Sequence, residues 1–204
     1  MRNRRFVTAL AALGMATFVG AGTAWAQHEG HEMPAMSAEE QAMMAAWEKA
    51  STPGSQHATL AAMAGDWTFE GTFWMAPGQP PMSSTGTAKR SMILGGRVLV
   101  EEITSSFMDQ PFEGKGMTGY DNVTGSYWST WMDNMSTGLM TSTGSCDQGK
   151  CEWHATMTNP MTGQPSQTRM TSEHGPDSEL HRAYEVGADG AERLSMEFKY
   201  KRAQ

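Results

Sequence analysis

The sequence is poor in cysteine, in basic charge and in large aliphatic side chains. Its 204 residues include 2 cysteines, and 22 acidic residues outnumber 15 basic ones. An acidic surface repels phosphate backbones and anionic lipid, so nucleic-acid and membrane partners are disfavoured. Methionine, with 19 residues, takes the place of leucine and isoleucine as the main apolar filler.

Sequence motifs of catalysis are also lacking. The chain has no H-E-x-x-H pair, no glycine-rich phosphate loop and no recognisable nucleophile motif. We therefore expect a protein that is not an enzyme. An enzyme of unknown reaction is a third hypothesis, with Trp131, Asp133 and His154 as its candidate site at a barrel mouth.

The N-terminus predicts export to the periplasm or the medium. A basic "MRNRR" precedes the apolar run "FVTALAALGMATFVGAG", and "AWA" offers small residues for a signal peptidase, so residues 1–26 form a predicted signal peptide. A membrane anchor is the alternative. Without residues 1–26, 12 basic residues face 22 acidic ones, a formal net charge of −10. After cleavage no membrane contact is expected.

Residues 27–36, "QHEGHEMPAM", form a predicted disordered leader that carries a candidate metal site. Imidazoles suit Cu(II), and thioethers suit Cu(I). His28, His31, Met33 and Met36 are therefore candidate copper ligands. The alternative is a solvated leader with no metal.

Residues 37–64 form a predicted helical lead-in. Ser37 and Glu40 fit a capping box, and Met43, Met44, Trp47 and Ala50 share a face that we expect to pack on the rest of the protein. A second short helix is predicted over 57–64.

From residue 65 to 204 the periodicity is that of β-strands. About ten short alternating segments are separated by turns such as "PGQPP", "LGG", "DNVTG" and "GADG". This pattern predicts an all-β fold, an antiparallel up-and-down barrel, with a two-sheet sandwich as the alternative. Because Thr, Ser, Gly and Met fill many strand positions, the interior is expected to be partly hydrated or filled with methionine.

Both cysteines lie in "CDQGKC", as Cys146 and Cys151. In an oxidising compartment, two cysteines that flank a four-residue turn predict a disulfide closing a hairpin. A redox-active pair and a metal pair are weaker alternatives.

The stretch "GDW", with Gly65 and Trp67, resembles the G-x-W motif with which lipocalins and related calycin barrels begin their first strand. The resemblance implies that Trp67 lies across the closed end and that a basic residue of the last strand stacks on it. Arg202, which shares the parity of the apolar residues there, is the predicted partner.

A longer resemblance covers nearly the whole chain after the leader. "STPGSQHATLAAMAGDW", "GYDN", "WMDNMSTG" and "NPMTG" are similar to the motifs of a bacterial family named domain of unknown function 1579, from Met43 to Tyr200. This family implies a calycin-like barrel and has no established chemistry. "CDQGKC" and the His/Met-rich leader depart from its pattern.

The leading functional prediction is the binding of a small, partly apolar ligand inside the barrel. Trp131 and Asp133 share one strand face, Trp128 lies on the other, and together they form the densest candidate site. The alternative is that "DNMST" is only a turn whose side chains cap backbone amides.

Further candidate ligand residues are Arg97, Tyr120 and Tyr184. Arg97 and Glu101 share the parity of apolar neighbours, so both are expected to be paired if they face the core. The alternative is a set of solvated ion pairs on the outer wall.

Haem is not expected. It would need an inward histidine, and the alternation places His154 and His181 on the outer face, while His57 suits a helix cap.

Overall fold

The structure is a computed structural model that describes residues 36–159, 162–187 and 189–204. Residues Ala38–Gln204 form one compact unit. Its elements are α1 (Ala38–Ser51), α2 (Ser55–Ala62), β1 (Gly65–Phe73), β2 (Met82–Ile93), β3 (Val98–Phe107), β4 (Gln110–Asp121), β5 (Ser126–Asp133), β6 (Met140–Asp147), β7 (Lys150–Thr158), β8 (Pro165–His174), β9 (Ser178–Val186) and β10 (Glu192–Arg202).

The ten strands form a closed antiparallel barrel in which each strand pairs with the next and β1 pairs with β10. Closure leaves no sheet edge exposed. The predicted all-β, up-and-down barrel preceded by short helices is therefore confirmed, and the two-sheet sandwich is excluded.

Tight hairpin turns set the register of neighbouring strands. The β3–β4 turn places Met108 and Asp109 at φ 51° and 62°, and the β6–β7 turn places Gln148 and Gly149 at 47° and 80°. Two successive positive φ values are typical of type I′ turns, whose twist matches that of the strands.

The helix α2 closes one end of the barrel, where it lies against β2, β3 and β4. Leu60 is 3% exposed and joins the main core cluster. His57 is buried, and its Nδ1 accepts a hydrogen bond from the amide of Gly54 at 3.1 Å. The predicted capping role of His57 is thus confirmed.

The helix α1 does not pack as the sequence predicted. Met43, Met44 and Trp47 are 54%, 57% and 69% exposed, and no residue of α1 is buried. Its C-terminal end is instead held by polar contacts, because Asn122 donates to the carbonyl oxygens of Lys49 and other residues there. Within the described ranges, no helix is both long and apolar enough to span a bilayer.

Asn122→Ala should loosen α1 from the barrel, although the contact of Arg97 with Ser51 remains. Its Nδ2 donates to Lys49 O at 3.0 Å and to Thr52 O at 2.7 Å, and a helix of this length without packing is marginal in water. Amide hydrogen exchange over 38–51 should accelerate while exchange in the strands stays unchanged. Asn134→Ala, which removes a turn amide elsewhere, is the control, and unchanged exchange in α1 of Asn122→Ala would contradict this account.

Candidate functional site

A buried set of charges lies on the inner face of the barrel near the end that α2 covers. Arg90 on β2 donates from Nε to Glu101 on β3, and from Nη1 to Glu179 on β9 at 2.5 Å. The side chains of Arg90 and Glu179 are 4% and 6% exposed, whereas that of Glu101 is 19% exposed. We name these three residues the ionic cluster.

Two aromatic rings flank the guanidinium of Arg90. Its central carbon lies 5.0 Å from the ring centroid of Trp67 and 4.7 Å from that of Tyr200. Contacts between a cation and a ring face are strongest where water is excluded. Because Trp67 belongs to the first strand and Tyr200 to the last, Arg90 spans the seam at which the barrel closes.

Polar contacts continue from Glu179 along the inner wall. Nδ1 of His174 lies 3.4 Å from Glu179 Oε2, and its Nε2 lies 3.1 Å from the hydroxyl of Ser172. Trp153 donates from Nε1 to that same hydroxyl at 3.4 Å. The buried hydroxyl and carboxylate thus have the partners that burial requires.

The two carboxyls that share Arg90 have pKa values shifted in opposite directions. Burial would raise the pKa of Glu179, but the hydrogen bond of His174 and the charge of Arg90 outweigh it and lower this pKa to about 2. Burial raises the pKa of Glu101, and repulsion by Glu179 adds to the rise against the attraction of Arg90. Burial also lowers the pKa of His181, so its imidazole is neutral at pH 7.

Beyond the ionic cluster the inner wall becomes aromatic, and its rings are buried to different degrees. Phe69 is buried, with its ring centroid 5.2 Å from that of Phe198, but Phe198, Phe112 and Trp131 are only partly buried. These inward side chains keep part of their surface accessible. We name the inward surface formed by Glu101, Phe112, Trp131, His181 and Phe198 the chamber.

Trp131 and Asp133 lie together on the inward face, at the rim opposite α2. Trp131 donates from Nε1 to Asp133 Oδ2 at 2.9 Å, and Asp133 Oδ1 accepts from the amide of Met135 at 3.0 Å. Asn134 Oδ1 accepts from the amide of Glu113 at 3.1 Å. The segment is therefore a capped turn, and this turn borders the mouth of the chamber.

Two predicted ligand residues face outward and do not reach the chamber. Trp128 covers Gly119 of the neighbouring strand, where a side chain on that glycine would meet the indole. The guanidinium of Arg169 lies 4.4 Å from the ring centroid of Tyr184 on the outer wall. Trp128 lies on the face opposite Trp131, as the strand alternation predicted. A ligand contact of Trp128 or Tyr184 stays a prediction and would have to lie on the outer wall.

Arg97 and Tyr120 lie away from the chamber, and their predicted ligand role stays a prediction. Arg97 lies in the β2–β3 turn and donates to the carbonyl oxygen of Ser51 at 2.6 Å, so it holds the C-terminal end of α1. Tyr120 faces inward, but its ring packs 4.8 Å from that of Tyr127 and 6.0 Å from that of His57. It belongs to the packed end beneath α2.

The prediction that His181 faces outward is wrong, whereas His154 is 71% exposed as predicted. On β9 the inward parity belongs to Glu179, His181 and the buried Ala183. Leu180, which suggested the opposite parity, lies on the outer face. The sequence held a clue to the inward parity of β9. His174 and Glu179 are cross-strand partners in the β8–β9 hairpin, and such a pair of opposite charges indicates that both side chains lie on the same face.

The closed end carries the stacked pair that the G-x-W resemblance implied. The central carbon of Arg202 lies 4.5 Å from the ring centroid of Trp67, and Nη1 donates to the carbonyl of Ala64 at 2.8 Å. Gly65 has φ 133°, and a Cβ there would lie 2.6 Å from Arg202 Nη1. Only glycine suits both the backbone angle and this close approach.

Cys146 and Cys151 form a disulfide, and they are directly opposed on β6 and β7. Cys151 is 7% exposed and packs in the core cluster with Trp153. The bond is a structural staple of the hairpin beside the polar contacts of Ser172.

The family match agrees with this architecture. Residues 52–202 match the model described as "Protein of unknown function (DUF1579)". The chain belongs to the DUF1579 family. The crystal structure of Rv2717c from M. tuberculosis is similar in fold, with a TM-score of 0.56 and 11% identity, over 75% of this chain and 100% of that chain. No functionally curated protein is significantly similar to the chain.

The predicted copper ligands of this DUF1579 protein fall largely outside the described residues. His28, His31 and Met33 lie there, as does the predicted signal peptide, while Met36 is described and is 46% exposed. In the part of the chain that the structure describes, no three His, Cys, Asp or Glu residues are arranged to hold a metal.

An open depression of about 520 Å³ on the outer wall is a poorer candidate than the chamber. It is lined by Ser126, Thr143, Gly144, Ser145, Glu152 and His154. His154 lies 3.4 Å from Glu152, and no aromatic side chain is present to hold an organic ligand.

Glu179→Gln should change how stability depends on pH. The folded pKa of Glu179, about 2, lies below its ordinary value of 4.5, so its contribution is complete above that value and is lost as pH falls towards 2. The wild type should lose on the order of 3 kcal/mol more than the variant between pH 6 and pH 2.5. Urea unfolding at both pH values measures this, with exposed Glu173→Gln as control. Parallel losses in wild type and Glu179→Gln would contradict the shift.

Proposed function

We propose that this DUF1579 protein is exported and binds a small, partly apolar ligand in its barrel chamber without transforming it. Export follows from the predicted signal peptide, and the intact mass of the mature protein tests it, since cleavage after Ala26 would leave Gln27 first. The binding proposal rests on the inner wall. Half-buried aromatic rings there adjoin a few oriented polar groups, a combination typical of small-molecule sites.

The aromatic rings give this space an apolar wall along much of its length. Phe73, near the open end, has its ring centroid 5.1 Å from that of Phe107 and 5.5 Å from that of Phe198. Trp131 lies on the opposite side and covers Gly114 and Gly116. These glycines leave room for the indole to lie flat on the inner wall.

The polar contacts of Ser172, His174 and Glu179 follow the order of nucleophile, base and carboxylate in a catalytic triad. Ser172, however, is 3% exposed, and its hydroxyl lies between Trp153 Nε1 and His174 Nε2. A substrate carbonyl would have to displace these packed neighbours to reach it. We therefore assign these contacts to holding Glu179, and binding without reaction is the better account.

Gly116→Leu should block the chamber. Gly116 faces inward at mid-strand, and a Cβ there lies 3.3 Å from the Trp131 ring, so a larger side chain must project into the open space. Binding of the uncharged fluorescent probe N-phenyl-1-naphthylamine should weaken by about ten-fold or more, which corresponds to about 1.4 kcal/mol. Fluorescence titration measures the dissociation constant.

The matched control is Lys115→Leu. Lys115 is the neighbouring residue on β4, is 51% exposed on the outer wall and pairs with Glu102. Its substitution adds the same side chain outside the barrel and should leave probe binding unchanged. Equal probe binding by wild type and a folded Gly116→Leu variant would place the site elsewhere and overturn the proposal.

Copper binding at the N-terminus is a second candidate function, favoured by exposed thioethers. Met36, Met43 and Met44 are 46%, 54% and 57% exposed, at the end of the His/Met-rich leader and on α1. Thioether sulfur is a soft ligand that suits Cu(I). Deletion of residues 27–36 should abolish Cu(I) uptake in a competition assay with a chromogenic chelator. Unchanged uptake would dismiss this function.

A further inference from the structure

The ionic cluster has more acid than base. Two carboxylates, Glu101 and Glu179, share the single guanidinium of Arg90. Arg202 shares the inward parity, but its guanidinium is bound at the closed end by Asp177 and the carbonyl of Ala64, so it does not neutralise them. The ionic cluster therefore holds one more carboxyl group than guanidinium, and His174 is a further partner of Glu179.

Of the two carboxyl groups in the ionic cluster, that of Glu101 is the one that faces the chamber. Glu179 is almost fully enclosed and is bound by both Arg90 and His174. Glu101 uses Oε2 for Arg90, and its Oε1 makes no hydrogen bond to any residue that the structure describes. The Glu101 side chain is 19% accessible, whereas that of Glu179 is 6% accessible. Oε1 of Glu101 can therefore accept a hydrogen bond from a ligand.

His181 adds a second acceptor on the same side. It faces inward beside Glu179 on β9 and opposite Phe198 on β10. As a neutral imidazole it has one acceptor nitrogen, and none of the described residues hydrogen-bonds to either ring nitrogen. The donors of Arg90 are directed at the two carboxylates and its side chain is 4% exposed, so it has little surface to offer an anion.

We infer that the ligand is an amphiphile with a protonated amine, whose ammonium group binds Glu101 and whose apolar body lies against Phe198, Phe112 and Trp131. This inference rests on the proposed binding function and names its ligand class. The ammonium supplies the charge and the donors that the two acceptors lack. A carboxylate ligand would instead face Glu101 at close range in a site of low polarity, where like charges repel strongly.

The aromatic wall fits the same class of ligand. The ring of Phe198 lies between the polar end of the chamber and its open half, with centroids 5.9 Å from Tyr200 and 5.5 Å from Phe73. Ring faces attract a desolvated cation as well as an alkyl chain. One wall can thus receive both the head group and the body of an amine.

The test compares n-octylamine, n-octanol and n-octanoate, which share one chain and differ in the head group. Isothermal titration calorimetry of the mature wild type at pH 7 should give octylamine the lowest dissociation constant, by about ten-fold over octanol, with octanoate weakest. Octanoate binding as tightly as octylamine would overturn the inference. Because this series uses the wild type alone, it does not depend on the folding of any variant.

Glu101→Gln locates the head group. It should raise the dissociation constant of octylamine about ten-fold and leave that of octanol unchanged. Glu102→Gln is the matched control, since Glu102 is the next residue on β3, is 55% exposed and pairs with Lys115 on the outer wall. Equal losses of octylamine affinity in both variants would also overturn the inference.

Failure of the amine class is separable from failure of the binding function. If octanol and octylamine bind equally and Gly116→Leu abolishes the binding of both, the chamber is a binding site and only the amine inference is wrong. If Gly116→Leu changes the binding of no octyl compound, the proposed site inside the barrel is wrong as well.

Discussion

The guanidinium of Arg90 is the interaction on which the closed barrel depends. It joins β2 to β3 through Glu101 and to β9 through Glu179, and it stacks on rings from β1 and β10. Loss of Arg90 alone would leave Glu179 buried without its cation, a change that typically costs about 3 to 5 kcal/mol. One side chain thus connects the inward faces of five strands, including the two that close the barrel.

The inner wall changes in character beyond this cluster. The buried charges of Arg90, Glu101 and Glu179 need partners, and they supply these to one another across β2, β3 and β9. Aromatic rings and glycines take over in the open half, and inward side chains such as Phe112 and Phe198 stay partly accessible. A polar end and an apolar wall are then available to one ligand.

Strand number, closure, the disulfide and the stacking of Arg202 on Trp67 could be predicted from the sequence, because each depends on local alternation, turn chemistry or a short motif. The ionic cluster could not. Arg90 and Glu179 are 89 residues apart, and on β9 the apolar Leu180 lies outside. The predicted packing of α1 was wrong for a related reason. An apolar stripe on a helix predicts that the stripe is buried, but it does not show whether a partner surface lies within reach.

The central claim is that the barrel interior is open and takes a ligand. Native mass spectrometry of the wild-type protein and of Gly116→Leu, both purified gently from the cells that produce them, tests it most directly. The account predicts an organic mass bound to the wild type and lost in Gly116→Leu, with that mass containing a basic nitrogen. A bare wild-type mass that also fails to gain any added octyl probe would contradict it.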